Sequence, residues 1–362
     1  MSNHDDSIEP LNVIESNVKN VKKARMKSTT VYDIARVAGV SASTVSRILT
    51  GSAKVAEEKR IAVEQAIKEL DFRPNLMAQS LKSGQSMTLG VLTQHLDSPF
   101  SNEMLRGVEK TLEGTGYVPV VVSGHWKSQQ ELERMQLLID RRVDGIIILT
   151  GHVSQQSLIE LSLQVPIVAA GHDINTAQVR SFNVNNSLGG YMATQYLLDL
   201  GHRKIAHIVG KTDQKDAIDR LNGYRQALSI AGIEYNPDLV VQGDFSEEGG
   251  RQAIKNLVAS NIDFSAIFCA NDQTAYGAIL GLKEADLDVP DDISIIGFDD
   301  LPFSTYSNPP LTTIKQPIYE TGVKLAQTLL SLINGGDEVK NENESLLPEL
   351  QIVNRKTALE FK

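Results

Sequence analysis

TTVYDIARVAGVSASTVSRILTG, residues 29–51, has the pattern of two short helices joined by a tight turn. Thr30 and Asp33 have the spacing of a capping box, which predicts that the first helix begins directly after Thr30. Gly39 is expected to end that helix, and Ser41 is a good N-cap for the second. The Gly-Val-Ser connection between them is typical of a helix-turn-helix unit.

The second helix is predicted over about 42–49 and a third over about 57–70. The three helices make a unit of about 45 residues, which is small but able to bury a core. The predicted core residues are Ile34, Val40, Val45, Ile48, Ile61, Val63, Ile67 and Leu70.

The second helix of such a unit enters the major groove of DNA. Arg47 can bond guanine through two hydrogen bonds, Ser43 can donate or accept, and Ala42 can pack on a thymine methyl group. Four hydroxyl-bearing residues suit phosphate oxygens, which fix register without reading sequence: Tyr32, Ser41, Thr44 and Ser46. From the pattern alone, a three-helix module that binds protein or no partner remains the alternative.

The formal net charge of -10 is unevenly distributed along the 362 residues. Residues 1–18 carry -4, residues 19–87 carry +7, and residues 88–362 carry -13. Because salt screens charges beyond about 10 Å, an acidic body does not prevent a basic end from binding phosphate. Net acidity therefore does not exclude DNA, although a fluctuation on solvated faces explains the same numbers.

From residue 88 onward, short apolar runs alternate with amphipathic stretches, as in a parallel sheet covered by helices. The first runs are TLGVL, VPVVV, DGIIIL and PIVAA, and after Asn175 the alternation restarts with SFNV, IAHIV, DLVVQ, SAIFCA and ISIIGFD. Two sheets are more plausible than one of ten or more strands. The predicted fold class is α/β: an all-α helix-turn-helix headpiece followed by two doubly wound parallel-sheet lobes, with a ligand cleft at the strand carboxyl ends.

Several function classes find no support in the residues. Cys269 is the single cysteine, so a reducing cytoplasm fits, and no run suits a signal peptide or the roughly 20 apolar residues of a membrane span. The Gly-Lys-Thr at 210–212 lacks the first glycine of a P-loop, because Ile205 occupies that position. The seven histidines have no metal-ligand spacing. We therefore expect no catalytic residues, metal or cofactor.

The headpiece sequence, PNLMAQSL at 74–81 and the acidic two-lobed body together resemble the lactose-repressor/galactose-repressor family of bacterial transcription factors. The resemblance runs from about Thr29 to Thr357. It implies a homodimer whose headpieces bind a pseudo-palindromic operator, and a body akin to periplasmic sugar-binding proteins that holds a small effector between its lobes. It places the headpiece at 29–74, the hinge at 75–87 and the core at 88–362, with lobe one at about 88–171 and 318–346 and lobe two at about 172–317 and 347–362.

The hinge has helical composition after Pro74, but an isolated helix of about two turns is marginal in water. The resemblance implies that it orders on operator DNA, with Leu81 as a wedge that kinks the duplex in the minor groove. The residues that match the family's hinge pattern are Asn75, Ala78, Gln79 and Leu81. A plain flexible linker is the alternative.

The resemblance also implies an effector site for a polar, uncharged ligand. Arg220 matches the family's arginine on sugar hydroxyls, and Asp299 matches the carboxylate that accepts hydroxyl protons. The full set is Phe100, Asp216, Arg220, Phe245, Asn271, Asp299 and Gln316. Ordinary structural roles remain open for most of them: a surface pair of Asp216 with Arg220, core positions for the two phenylalanines, a helix cap for Asn271 and a loop role for Asp299.

Two departures from the family pattern affect these expectations. Some members place an acid after the strand PIVAA, where this chain has Gly171 followed by His172 and Asp173, which leaves the ligand undecided. No leucine-heptad tail follows VNRKTALEFK, so a dimer is expected rather than a tetramer. The tail, residues 1–28, is expected to be disordered, with phosphate contacts as the alternative role of its basic residues Lys19, Lys22, Lys23, Arg25 and Lys27.

The sequence therefore predicts a cytoplasmic, homodimeric repressor of sugar-utilisation genes that a sugar-like effector releases from double-stranded operator DNA. A regulator whose ligand strengthens DNA binding is the first alternative. A sugar-binding protein or sugar-modifying enzyme built on the same lobes is the second, although neither needs a basic helical headpiece.

Overall fold

The structure, a computed structural model, describes residues 29–50, 55–72, 84–336 and 347–361. The chain divides into two compact units, the first ending at Gly84 and the second starting at Gln85. Most of the predicted hinge, including Asn75, Ala78, Gln79 and Leu81, lies outside the described residues, as does the predicted tail.

The helices of the first unit are α1 (Val31–Val37), α2 (Ala42–Thr50) and α3 (Glu57–Glu69). The predicted capping box begins α1: the Thr30 hydroxyl accepts the Asp33 N–H at 3.3 Å, and the Asp33 carboxylate accepts the Thr30 N–H at 3.0 Å. Gly39 then adopts a φ of +63°, a turn that glycine makes without steric cost. The two predicted helices and their connection are confirmed.

The core of this unit takes one fully buried side chain from each helix: Ile34, Val45 and Val63. The prediction of Ile61 as a core residue is wrong, since its side chain is 45% exposed. Two residues along an α-helix are separated by about 200° around the axis, so the burial of Val63 turns Ile61 to the opposite face. The other predicted positions are half-buried against the core: Val40, Ile48, Ile67 and Leu70.

Lobe one of the second unit contains a five-stranded parallel sheet in the order β2-β1-β3-β4-β5. Its strands are β1 (Thr88–Thr93), β2 (Val118–Ser123), β3 (Gly145–Ile148), β4 (Ile167–Ala170) and β5 (Val179–Phe182). Its helices are α4 (Pro99–Leu112), α5 (Ser128–Asp140), α6 (Gln155–Ser162) and α11 (Ile318–Ile333).

Lobe two contains a six-stranded sheet in the order β11-β10-β9-β8-β6-β7, in which the β10–β11 pair is antiparallel. Its strands are β6 (Ile205–Val209), β7 (Val240–Gln242), β8 (Ala266–Cys269), β9 (Ser294–Asp299), β10 (Thr313–Lys315) and β11 (Gln351–Val353). Its helices are α7 (Asn186–Asp199), α8 (Lys215–Ile230), α9 (Glu247–Ala259) and α10 (Asp272–Glu284), with short 3₁₀ turns at Pro237–Leu239 and Pro302–Thr305.

Two predicted boundaries are wrong. The run expected to open lobe two, SFNV at 181–184, overlaps the end of β5. This strand pairs with β4 in the first sheet, so lobe two begins after Phe182 and not at about 172. Residues 85–87, assigned to the hinge, belong to the core unit, because the backbone N–H groups of Ser86 and Met87 donate to the Asp144 carboxylate at 2.8 and 2.9 Å.

Each parallel sheet reverses its strand order at one point, between β1 and β3 in lobe one and between β6 and β8 in lobe two. Open α/β sheets bind ligands outside the carboxyl ends of the strands at such points. The chain passes between the lobes three times: from β5 to α7, from β10 to α11 and from α11 to β11. In the described part of the chain, no helix is both long and apolar enough to span a bilayer.

Candidate functional site

The predicted DNA contacts on α1 and α2 differ in exposure. Tyr32 is 77% exposed, and Ser43 and Arg47 are exposed on α2. Ala42, Thr44 and Ser46 are half-buried, with Ala42 packed against the headpiece core. Ser43 and Arg47 are four residues apart, so α2 presents two exposed polar side chains on one face, as a recognition helix needs.

Ser41 serves as the N-cap of α2, as predicted. Its hydroxyl oxygen accepts the Thr44 N–H at 3.2 Å and lies 2.9 Å from the Ser43 and Thr44 hydroxyls. These hydroxyls therefore form one cluster at the amino end of α2, where the helix dipole and free N–H groups favour an anion such as phosphate.

Two adjoining cavities lie between the lobes. The larger, of about 380 Å³, is lined by six of the seven predicted effector residues and is called the Arg220 cavity. The smaller, of about 250 Å³, is lined by Gly171, His172 and Gln316 among others and is called the Gly171 cavity. Their combined size is within the range of small-molecule sites. The residues that line both are Phe100, Trp126, Thr150, Gln214 and Asp216.

Arg220 projects from α8 into the larger cavity and is 4% exposed. Its Nε donates to the Asn186 side-chain oxygen at 2.9 Å, and Nη1 donates to the Ala270 carbonyl. Its guanidinium carbon lies 3.7 Å from the centroid of the Phe298 ring. Burial lowers the pKa of Arg220, and the negative charge of Asp299 opposes that shift.

Asp216 and Arg220 do not form the surface pair considered as an alternative. Asn186 lies between them: its side-chain N–H donates to Asp216 at 3.0 Å while its oxygen accepts from Arg220. Asn186 is buried at the first turn of α7. The chain of three side chains fixes the orientation of the guanidinium before any ligand arrives.

Asp299 ends β9 and is 3% exposed. Its Oδ1 accepts the Gln316 side-chain N–H at 2.6 Å. Burial raises the pKa of the Asp299 carboxyl, and the Arg220 guanidinium acts in the opposite direction. Gln316 follows β10 and lines the smaller cavity, so this hydrogen bond joins the walls of the two cavities.

Asn271 has the structural role that the sequence left open. Its side-chain oxygen accepts the Thr274 N–H at 2.9 Å and so caps α10. Its N–H donates to the Phe245 carbonyl at 3.0 Å, which also gives it a positioning role beside the cavity. The cap interpretation is therefore correct, and it is compatible with a place in the cavity wall.

The Phe245 ring packs directly over Gly210, where a Cβ would lie 2.0 Å from the ring. The glycine of the Gly-Lys-Thr segment therefore makes room for an aromatic wall of the larger cavity. Phe245 itself has a φ of +70°, and the Arg220 guanidinium lies 5.8 Å from its ring centroid. Strained non-glycine residues of this kind cluster at ligand sites.

Phe100, on α4, supplies an aromatic residue from lobe one and is half-buried against the core of that lobe. Phe100 also lines both cavities, so its side chain packs on the core of lobe one and contributes to the cavity wall. Gly171 has a φ of +76° and no atom within 4 Å of an added Cβ. The neighbouring His172 is buried, and its Nδ1 donates to the Ala170 carbonyl at 3.0 Å.

Several cavity residues were not predicted from the sequence, among them Asn186, Trp126 and Lys211. Trp126 and Lys211 each follow a strand, β2 and β6, so the rule that ligands bind at strand ends was able to identify them. Nothing in the sequence linked Asn186 to Arg220, because their contact joins the first turn of α7 to the second turn of α8.

The cavity offers a buried guanidinium, carboxylates, amides and aromatic faces. Such a set donates hydrogen bonds to ligand hydroxyl groups, accepts hydrogen bonds from them, and covers the apolar side of a ligand ring. Among the described residues, no three His, Cys, Asp or Glu side chains are placed to share a metal ion.

Comparisons with known proteins match both units. A family model for "Bacterial regulatory proteins, lacI family" matches residues 30–75, and one for "Periplasmic binding proteins and sugar binding domain of LacI family" matches residues 86–352. The chain is 36% identical over 316 residues to the ribose operon repressor of Haemophilus influenzae, covering 87% of this chain and 93% of that protein.

Solved structures of regulators in this family also match the chain. A lac repressor dimer bound to operator and the anti-inducer ONPF matches with a TM-score of 0.81 and 30% identity, covering 92% of this chain and all of that chain. A LacI-family regulator from Enterococcus faecium with bound ribose matches with a TM-score of 0.67 and 29% identity, covering 76% and all of the respective chains.

The fold class and the family resemblance predicted from the sequence are confirmed by these matches. The family models cover both the headpiece and the cleft-bearing core, in the order that the sequence predicted. The chain therefore belongs to the LacI family of bacterial regulatory proteins, whose members are transcriptional regulators and not enzymes.

Proposed function

We propose that this protein is a cytoplasmic repressor of sugar-utilisation genes that binds a pseudo-palindromic operator as a homodimer. A sugar-like effector binds between the two lobes and weakens operator binding. The observation that carries the proposal is the pre-oriented Arg220 guanidinium beside Asp299 in an interlobe cavity, in a chain that also has a helix-turn-helix unit.

Uncharged sugars fit the cavity better than anionic ligands. The carboxylates that line the Arg220 cavity outnumber its two cationic side chains, Lys211 and Arg220. These carboxylates repel an anionic ligand such as a phosphate ester. These carboxylates belong to Asp97, Asp216, Asp244, Glu247 and Asp299. The identity to a ribose operon repressor and the likeness to a ribose-bound regulator make D-ribose the first sugar to test.

The effector contacts we propose are Phe100, Asp216, Arg220, Phe245, Asn271, Asp299 and Gln316. The proposed base contacts are Ala42, Ser43 and Arg47, and the proposed phosphate contacts are Tyr32, Ser41, Thr44 and Ser46. The hinge contacts Asn75, Ala78, Gln79 and Leu81 complete the DNA interface and rest on the family pattern.

A second copy of the chain is the proposed occupant of an apolar patch on lobe two, formed by Leu280, Phe303 and Tyr306. These side chains are 51, 59 and 79% exposed. Tyr276 supports the patch, because its ring contacts that of Phe303 at 5.1 Å. Exposed apolar patches of this kind mark protein interfaces, and the lac repressor structure that this chain resembles is a dimer.

Selection from random-centre DNA duplexes tests the DNA half of the proposal. The purified protein is expected to enrich a two-fold symmetric sequence, with an affinity that falls steeply as salt rises because phosphate contacts release counterions. Enrichment of no sequence, or of one without symmetry, contradicts a homodimeric operator-binding repressor.

A further inference from the structure

Trp126, the single tryptophan of the chain, follows β2 and lines both interlobe cavities. It is half-buried, so part of its large aromatic surface stays accessible. A large aromatic surface kept partly open at the junction of two cavities is a surface available to a ligand.

The loop that carries Trp126 is held in a strained conformation. His125 and Trp126 have φ values of +54° and +56°, which side chains other than glycine rarely adopt. Gln94 is 2% exposed and holds the strained loop. Its side-chain oxygen accepts the backbone N–H of Trp126, and its side-chain amide N–H donates to the Thr150 carbonyl at 2.8 Å. Strain of this kind persists only where surrounding contacts determine it, and it clusters at ligand sites.

A second loop supports the same ring. The His152 ring meets the Trp126 ring edge to face at 4.9 Å. The His152 N–H donates at 2.7 Å to Glu131, which is fully buried at the start of α5. An added Cβ at Gly124 would lie 2.3 Å from the Glu131 side chain, so that glycine leaves room for the buried carboxylate. Two buried polar side chains, Gln94 and Glu131, thus hold the backbones of the two loops that carry Trp126 and His152.

Lobe two faces the indole through Lys211, whose ammonium lies 5.8 Å from the Trp126 ring centroid. Lys211 belongs to the loop after β6 that leads into α8, the helix of Arg220. The ring therefore lies on the same cleft as Arg220 but projects from the opposite lobe.

We propose that Trp126 is the aromatic platform of the effector cleft, on which the apolar face of a cyclic, uncharged sugar packs while Arg220 and Asp299 bond its hydroxyls. The inference rests on the proposed function and narrows its ligand class to ring sugars over open-chain polyols. Because the platform and the hydrogen-bonding groups come from different lobes, the ligand contacts both and holds them together.

The test uses the full chain and two readouts. Calorimetry with D-ribose, D-glucose and D-galactose identifies which of them binds, and the alditol of that sugar serves as the open-chain comparison. Trp126 emission is followed in the same titrations, and its assignment is unambiguous because the chain has one tryptophan. The variants are Trp126→Ala, Trp126→Phe, which keeps an aromatic face, and Phe361→Ala, an exposed aromatic residue that lines neither cavity.

The expected result is a saturable change in emission at the concentration where calorimetry reports binding. Trp126→Ala is expected to weaken sugar binding about ten-fold or more, as removal of a buried aromatic contact does, Trp126→Phe to restore most of that loss, and Phe361→Ala to match the parent. The alditol is expected to bind more weakly than its ring sugar.

Three results overturn the inference. If sugar binds without a change in Trp126 emission, and binds Trp126→Ala as tightly as the parent, Trp126 is not an aromatic platform, while the proposed function is unaffected. An alditol that binds as tightly as its ring sugar removes the ring selectivity. If none of the three sugars binds, the sugar-responsive part of the proposed function is contradicted, and so is the proposed role of Trp126.

Discussion

Arg220 is buried among neutral acceptors, with Asn186 and Ala270 each taking one of its hydrogen bonds. A guanidinium has five N–H donors, so these two bonds orient the group without using its capacity. A buried cation held in this way is stabilised further when a ligand supplies hydroxyl acceptors, which links ligand binding directly to the geometry of α8.

Arg220→Ala is expected to abolish the response to sugar while leaving operator affinity unchanged. Truncation removes the charged donor, and hydrogen bonds to charged groups contribute about 1.5–3 kcal/mol each. Fluorescence anisotropy with an operator duplex, with and without sugar, measures both properties. Arg225→Ala, an exposed arginine on the same helix, is the control and should behave like the parent. Normal release of Arg220→Ala by sugar would show that the effector binds elsewhere.

Arg47 is the residue expected to read a base. Arg47→Ala should reduce discrimination by about 1–3 kcal/mol at one base pair in each half-site and affect random DNA much less. Binding to the selected operator and to single-base variants of it measures the effect. Lys59→Ala, an exposed cation on α3, provides the comparison. Equal loss on operator and random DNA would assign Arg47 to phosphate.

Residue roles were predictable where one local pattern decides them, as with the capping box of Thr30 and the cap of Asn271. They were not predictable where two distant segments meet. Asn186 bonds Arg220 across 34 positions of sequence, and the Gln94 bond to the backbone of Trp126 spans 32. No periodicity encodes such a contact.

Helices pack in close pairs in both lobes, and each pair places one glycine from each helix at the contact. On α4 and α11, a Cβ at Gly107 would lie 2.2 Å from the Tyr319 carbonyl oxygen, and one at Gly322 would lie 1.9 Å from that of Met104. The α7–α8 and α9–α10 pairs use Gly190 with Gly223 and Gly250 with Gly277 in the same way.

Gly322→Ala is expected to destabilise the protein by about 1–3 kcal/mol, because the added methyl meets backbone that cannot rotate away. Alanine gains up to about 1 kcal/mol of helix propensity over glycine, which offsets only part of that cost. The urea midpoint of unfolding measures the difference. Gln327→Ala, at an exposed position of α11, is the control and should change little. An unchanged midpoint for Gly322→Ala would mean that the helices separate without penalty.

The apolar runs predicted where strands occur, but they did not predict which sheet each strand joins. The run SFNV, which overlaps the end of β5, was assigned to lobe two because the alternation of strands and helices restarts there. The backbone of β5 instead pairs with β4, with Ile167 opposite Val179, after a turn held by the Ser181 hydroxyl bond to the Ile174 carbonyl at 2.7 Å. A short strand carries little information about which of two sheets it joins.

We propose that operator binding depends on pairing of two chains. Two headpieces that bind one palindrome must be joined, and the patch formed by Leu280, Phe303 and Tyr306 is the proposed junction on the core.

Leu280→Arg is expected to convert the dimer to monomers and to weaken operator binding by at least about 100-fold, because each monomer contacts one half-site. Sedimentation and anisotropy measure the two effects. Leu163→Arg places the same charge at an exposed leucine of lobe one, outside this patch, and should change neither property. A Leu280→Arg protein that remains dimeric and binds operator normally would place the interface elsewhere.

Release of the operator by an effector requires that the cleft and the headpiece are coupled. Coupling of this kind is reciprocal: the factor by which a bound ligand weakens DNA binding equals the factor by which bound DNA weakens ligand binding. Typical coupling energies of about 1–3 kcal/mol correspond to factors of about 5–150.

The most direct test is therefore an anisotropy titration of the selected operator duplex, without sugar and with a saturating concentration of the sugar that calorimetry identifies. We expect operator affinity to fall by about 5-fold or more with sugar present, and Arg220→Ala to lose this difference. An operator affinity that is the same with and without bound sugar, or that rises, would contradict release by the effector.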